Sequence, residues 1–163
     1  MDAKQPAKFS PLALMISLAI TLGIGAAGSF FTLHSVDTWY RSIAKPSFNP
    51  PDSVFGPVWT SLYILIGISA YLVWQKRAHI QQLPRTIAIY FIQLVLNLMW
   101  SFIFFYAHQI GVALVEILFL LVAAIVNAYV FYKIDKTAGL LFIPYILWVS
   151  FATFLTYSIF RLN

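Results

Sequence analysis

The charges in this chain fall in clusters, and the stretches between them are almost wholly apolar. No Asp, Glu, Lys or Arg occurs in residues 9–33, 53–75, 86–115, 117–132 or 137–160. A helix crosses the hydrocarbon of a bilayer with about 20 predominantly apolar residues, and each run is long enough or nearly so. The third and fourth runs are separated only by Glu116, but Ala107-His108-Gln109-Ile110-Gly111 gathers two polar residues and a glycine and reads as a short turn. The pattern predicts an all-α integral membrane protein. Its one domain, residues 1–163, is a five-transmembrane-helix bundle with spans at about 10–33, 54–75, 85–107, 111–132 and 138–161. A β-barrel is excluded, since barrel strands alternate polar and apolar residues over about ten positions.

Composition agrees with lipid as the solvent. Hydrophobic residues make up 61% and charged residues 9%, where a soluble domain is about a quarter charged. The net charge of +5 lies in the gaps between apolar runs. It therefore sets topology and meets anionic headgroups, and nucleic acid is not a partner. Lys4, Lys8, Lys76, Arg77, Arg85, Lys133 and Lys136 would share one side of the membrane, and Arg41, Lys45 and Arg161 the other. The positive-inside rule then places the N-terminus in the cytoplasm, taking the membrane to be a bacterial cell membrane. The first run is too long for a signal-peptide core and reads as a retained helix.

Conventional chemistry is not encoded. There is no cysteine, so neither a disulfide nor a thiolate site can form. His34, His79 and His108 are scattered at helix ends and do not pair as metal ligands. No nucleophile–base set and no Gly-rich phosphate loop appears. Neither a catalytic residue nor a metal ligand is expected, and no cofactor is required.

The polar residues inside the spans are informative, because burying them in lipid is costly. Gln93, Asn97, Trp100 and Phe104 recur at helical spacing and share one face of the third span. Trp59, Tyr63, Ile66 and Ala70 share a face of the second, and Tyr145, Trp148, Ala152 and Leu155 a face of the fifth. Aromatics form 18% of the chain, more than an interfacial belt needs. If the three faces converge, they make an aromatic pocket with a few fixed polar contacts, suited to a flat apolar ligand. Packing alone would explain the same spacing.

Three further features carry expectations. The loop at 34–53 contains Lys45-Pro46-Ser47-Phe48-Asn49-Pro50-Pro51, whose prolines stiffen it, so it is a candidate lid. Ala19, Gly23 and Ala27 form a small-residue stripe on the first helix, read as internal packing ahead of a dimer contact. Glu116 is placed in the first turn of the fourth helix, near water, with Asn127 on the same face.

Trp39-Tyr40, Lys45 to Pro51, and Phe55-Gly56-Pro57-Val58-Trp59-Thr60-Ser61-Leu62-Tyr63 follow one another in an order and spacing that resemble the TspO/MBR family, that of translocator proteins and tryptophan-rich sensory proteins. Gln93, Asn97, Trp100-Ser101 and Phe104-Phe105 resemble its third helix, and Pro144 to Thr153 its fifth. The resemblance implies a homodimer of five-helix subunits that binds porphyrins (protoporphyrin IX or haem) and, in animal members, cholesterol and synthetic drug ligands. It implies that Trp59, Tyr63, Asn97, Trp100, Tyr145, Trp148, Ala152 and Leu155 line the pocket, with Trp39, Pro50 and Pro51 in the loop that closes it. Sensing, regulation or sequestration of the ligand is the expected role. Transport of a tetrapyrrole or lipid, or light-dependent porphyrin degradation, stays open as an alternative. Leu155 to Arg161 satisfies the loose L/V-x-Y-x-K/R sterol pattern, which snorkelling of Arg161 explains equally well.

Overall fold

A computed structural model describes residues 9–163. Lys4 and Lys8 lie outside the described residues. The long helices are α1 (Pro11–Val36), α3 (Asp52–Gln75), α4 (Leu83–Ser101), α5 (Ile110–Ile134) and α7 (Ile143–Leu162). Short helices α2 (Trp39–Ser42) and α6 (Lys136–Leu140) lie in the first loop and at the head of the last span. No strand occurs among the described residues. Five helical segments are long and apolar enough to cross a membrane: Pro11–Val36, Asp52–Gln75, Leu83–Tyr106, Ile110–Ile134 and Lys136–Leu162.

Local chemistry sets the helix ends. Ser10 accepts from the Ala13 amide at 3.4 Å and Pro11 occupies the first turn of α1, where its missing N–H costs nothing. Asp135 caps α6 through the Ala138 amide at 2.9 Å. The last span is therefore two pieces rather than one continuous helix. It bends at Leu141-Phe142, and Pro144 starts α7.

Lipid is as apolar as leucine, so helix association here depends on close approach and hydrogen bonds rather than on hydrophobic exclusion. The close approaches are at glycines. A Cβ on Gly25 would lie 2.6 Å from the Tyr63 ring, and one on Gly67 would lie 2.8 Å from Thr21 Oγ1. These two contacts seat α1 on α3. Gly139 lies so near the Tyr132 backbone that a Cβ would sit 2.5 Å from its Cα, which lets α6 fold back on α5. The expected stripe behaves differently: Ala19 and Gly23 face outward, and nothing lies within 4 Å of a Cβ at Gly23. Internal packing uses the adjacent face instead, because Gly25, Gly28 and Thr21 point at α3 and α4.

Charges partition by end of the bundle. The loop-end set holds Arg41, Lys45 and Arg161, and Asn163 pairs with Ala44 through two 3.0 Å hydrogen bonds. At the opposite end Lys76 forms a 2.7 Å ion pair with Asp135 and binds the Ile134 carbonyl. Partial burial alone would raise the Asp135 carboxyl. The hydrogen bond and charge of Lys76, with the Ala138 and Thr137 amides, outweigh it and hold that carboxyl below its ordinary value.

The third span leaves α-geometry before it ends. Residues Phe102–Tyr106 form a π-turn, with the Ala107 amide bonding the Phe102 carbonyl at 2.9 Å. The following turn is made by His108, not by Gly111, which lies inside α5. His108 adopts φ 57°, a left-handed conformation that histidine enters more readily than most side chains. Its ring is held from two sides: Nε2 lies 2.8 Å from Ser35 Oγ, and the ring stacks on Trp39 at 4.2 Å.

Candidate functional site

At the loop end the helices diverge. α1 and α3 are pinched together at Gly25 and Tyr63, then open toward the loop, where Gly56 has nothing within 4 Å of a built Cβ. The gap is a cavity of about 480 Å³ bounded by α1, α3, α4 with its π-turn, and α7. That volume falls within the ordinary range of small-molecule sites, roughly 300–1,000 Å³. Ala26, Ser29 and Leu33 of α1 and Gly56 and Thr60 of α3 form an exposed rim, so the cavity opens sideways toward lipid.

Its walls are aromatic. Trp59, Trp100, Phe104, Phe105, Trp148 and Phe151 line it. Trp59 stacks on Tyr63 at 5.8 Å and meets Trp148 edge-on at 6.5 Å. Trp100 stacks on Phe104 at 5.3 Å and takes Phe105 edge-on at 5.8 Å. The π-turn matters here, because it widens the helix just where Phe104 and Phe105 enter the site. The Trp100 and Trp148 indole N–H groups are both buried with no partner among the described residues. Buried donors are seldom left unpaired without a reason.

Beneath the walls lies a polar layer. Tyr63 donates through its hydroxyl to Asn97 Oδ1. Asn97 Nδ2 and Gln93 Nε2 both donate to the Tyr145 hydroxyl, at 2.9 and 2.7 Å. One layer thus ties α3, α4 and α7 together and fixes the ring of Tyr63.

Of the residues selected from sequence, Trp59, Tyr63, Trp100, Phe104, Trp148, Ala152 and Leu155 line the cavity. Gln93, Asn97 and Tyr145 do not reach it and form the layer below. Trp39, Pro50 and Pro51 do not line it either. Trp39 packs on His108 and on the outer side of Phe104. The loop reaches the cavity instead through Val36, Asp37, Tyr40 and Asp52.

The loop owes its stiffness to more than proline. Tyr40 is buried and donates to Asn49 Oδ1 at 2.8 Å, while Asn49 donates to the Pro50 carbonyl at 3.0 Å. Burial, reinforced by the Asp52 charge and opposed by the Asn49 bond, pushes the Tyr40 hydroxyl up to about 12. The Lys45 ammonium donates to the Tyr40 and Ile43 carbonyls and sits 4.8 Å from the Tyr40 ring centroid. Phe48 stacks on Phe154 of α7 at 5.1 Å, which fastens the far side of the loop.

Sequence reasoning missed the α1 wall, Tyr40, Phe105 and Phe151 among the lining residues, and the His108 brace outside the cavity. The α1 wall is made of small residues with no polar signature, and it is visible only once Gly25 is seen against Tyr63. Glu116 needs a correction. It lies in the second turn of α5, is 8% exposed, and neither carboxylate oxygen has a partner among the described residues. It faces the bundle because α5 begins at Ile110 and buries the stripe that includes Ala113, Ile117, Leu120 and Asn127. The sterol-like pattern is split between faces: Leu155 points into the cavity, while Tyr157 is exposed and accepts from Arg161 Nη1 at 3.4 Å.

The fold and cavity define a multi-pass α-helical membrane protein with an aromatic chamber at its loop end. Residues 16–162 match the TspO/MBR family, and the chain belongs to that family. It is 43% identical to the tryptophan-rich protein TspO of Archaeoglobus fulgidus over 152 residues, 93% of this chain and 97% of that protein. It is 38% identical over 152 residues to the human translocator protein, covering 93% of this chain and 89% of the relative. The tryptophan-rich sensory protein of Cereibacter sphaeroides is 36% identical over 148 residues, 90% of each chain.

Proposed function

We propose that this protein binds a porphyrin, or a closely similar flat tetrapyrrole, in the chamber under the first loop, and that binding serves sensing or sequestration. The observation that carries the reading is the pair of unpartnered indole donors, Trp100 and Trp148, set in an otherwise aromatic wall. A planar ligand offers a large face to Trp59 and Phe104 and needs acceptor groups at its edge. A porphyrin has both, in its macrocycle and its carboxylates. The porphyrin is read as ligand rather than as resident cofactor.

Binding with retention is favoured over passage across the bilayer by the closed lower end. The Gly25–Tyr63 pinch and the Gln93–Asn97–Tyr145 layer lie directly under the chamber. The surrounding membrane is taken to be a bacterial cell membrane, with the loop outside and the N-terminus in the cytoplasm. A homodimer is consistent with the outward-facing Ala19 and Gly23.

The test is a titration of protoporphyrin IX into the purified protein, followed by quenching of tryptophan fluorescence. Saturable quenching is expected. Trp148→Phe should weaken it about tenfold while keeping the apolar wall, because one charge-assisted hydrogen bond is lost. Absence of saturation in the wild-type protein would sink the proposal.

A further inference from the structure

A second concavity lies at the opposite end of the bundle, between α1, α3 and α4. Its volume is about 280 Å³ and its walls include Ile16, Ile20, Val73, Ile87 and Phe91. Ile16, Ile87 and Phe91 are also exposed on the outer surface, so the groove opens into the acyl region of the bilayer rather than into the core.

Its polar atoms are accounted for, with one exception. Ser17 donates to the Gly67 carbonyl at 2.7 Å and Thr86 to the Gln82 carbonyl at 3.2 Å. Tyr90 also lines the groove and is only 7% exposed, yet its hydroxyl has no partner among the described residues. Its ring is fixed by stacking on Phe131 at 5.9 Å, so the hydroxyl cannot simply swing out to water. An unsatisfied donor in hydrocarbon is expensive, and an acceptor brought in by a ligand would relieve it.

The mouth is basic. Trp74, at the groove edge, carries the Arg77 guanidinium over its ring at 4.7 Å, and Arg77 Nη1 donates to the Trp74 carbonyl at 3.0 Å. Arg85 projects from the opposite side of α4, where it donates to the Gln82 side chain at 3.1 Å, so Arg77 is the cation at the groove edge. The nearby carboxylate, Asp135, is already paired with Lys76. Tyr90 lies on the groove side of α4, about two turns in from Leu83, and its side chain leans back toward the helix start, so its hydroxyl stands at the depth of a lipid's ester groups.

We infer that this groove is a binding site for one anionic phospholipid, with an acyl chain between α1, α3 and α4, an ester carbonyl accepting from Tyr90, and the phosphate against Arg77. The site stands independently of the porphyrin chamber.

Native mass spectrometry of the detergent-purified protein, supplied with phosphatidylglycerol or phosphatidylcholine, tests it. One phosphatidylglycerol should be retained per chain, with about tenfold preference over phosphatidylcholine. Tyr90→Phe should lower retention of both lipids several-fold. Arg77→Gln should remove the preference and spare residual binding. Ile20→Trp, which fills the groove and leaves Tyr90 intact, should abolish retention without lowering the melting temperature. Equal retention by the wild type and Tyr90→Phe, or displacement of the lipid by protoporphyrin IX, would overturn the assignment.

Discussion

The two concavities lie at opposite ends of one bundle, yet they are built on different plans. The loop-end chamber has aromatic walls, a hydrogen-bonded base and a cross-braced loop above it. The far groove has mixed aliphatic and aromatic walls, one idle hydroxyl and an open side. A walled chamber with fixed donors discriminates between ligands, whereas an apolar trough open to lipid accepts any flexible chain that fits. The difference teaches that polar satisfaction, not volume, separates a selective site from a permissive one in lipid. Where the layer of Gln93, Asn97 and Tyr145 is present, geometry is fixed; where it is absent, the headgroup must supply the selectivity.

The contrast can be broken by the pinch between α1 and α3. Gly25→Leu drives a side chain into the ring of Tyr63, which Asn97 prevents from turning aside. Porphyrin affinity should fall by about a hundredfold or more, some 2.7 kcal/mol. Lipid retention in the far groove should be unchanged, as read on the same sample by mass spectrometry. A smaller effect is expected from Asn97→Leu, which leaves the hydroxyls of Tyr63 and Tyr145 short of partners. It should cost about 1–3 kcal/mol of stability, seen as a lower melting temperature in detergent, and weaken porphyrin several-fold.

Asp135 sharpens the comparison from the groove side. Its carboxyl is held below the ordinary carboxylate value in the folded chain. The stability it adds is therefore complete above an unfolded pKa of about 3.9 and is lost as pH falls through the lower folded value. Asp135→Ala should remove the α6 cap, cost about 1 kcal/mol, and flatten the melting temperature against pH below about 4. The smallest effect belongs to Pro50→Gly with Pro51→Gly. Since Tyr40, Lys45 and Phe48 brace the loop, porphyrin affinity should change by less than about threefold. Association and dissociation rates in stopped-flow should rise together.

Sequence periodicity located the five spans to within a few residues, because lipid forces apolar runs and charge spacing measures them. It also put Trp59, Tyr63, Trp100, Phe104, Trp148, Ala152 and Leu155 on faces that do converge. It could not separate wall from base. Asn97 and Trp100 lie on the same helical stripe, and only their depth decides that one faces the chamber and the other hydrogen-bonds below it. Glu116 was misplaced although the start of α5 was expected to within one residue: it falls in the second turn, on the stripe that packing turns toward the bundle. The turn before α5 is made by His108, held by Ser35 and Trp39 from other elements. Contacts between distant residues decide such ends, and no local pattern encodes them.

The seat of Gly25 on Tyr63 has a kinetic meaning. It makes the chamber a cul-de-sac, so whatever goes in must come out by the same door. For the proposed ligand, exchange is then with the lipid and water at the loop end, onto which the rim opens. The residence time of that ligand becomes a property of the loop and the α1–α3 rim.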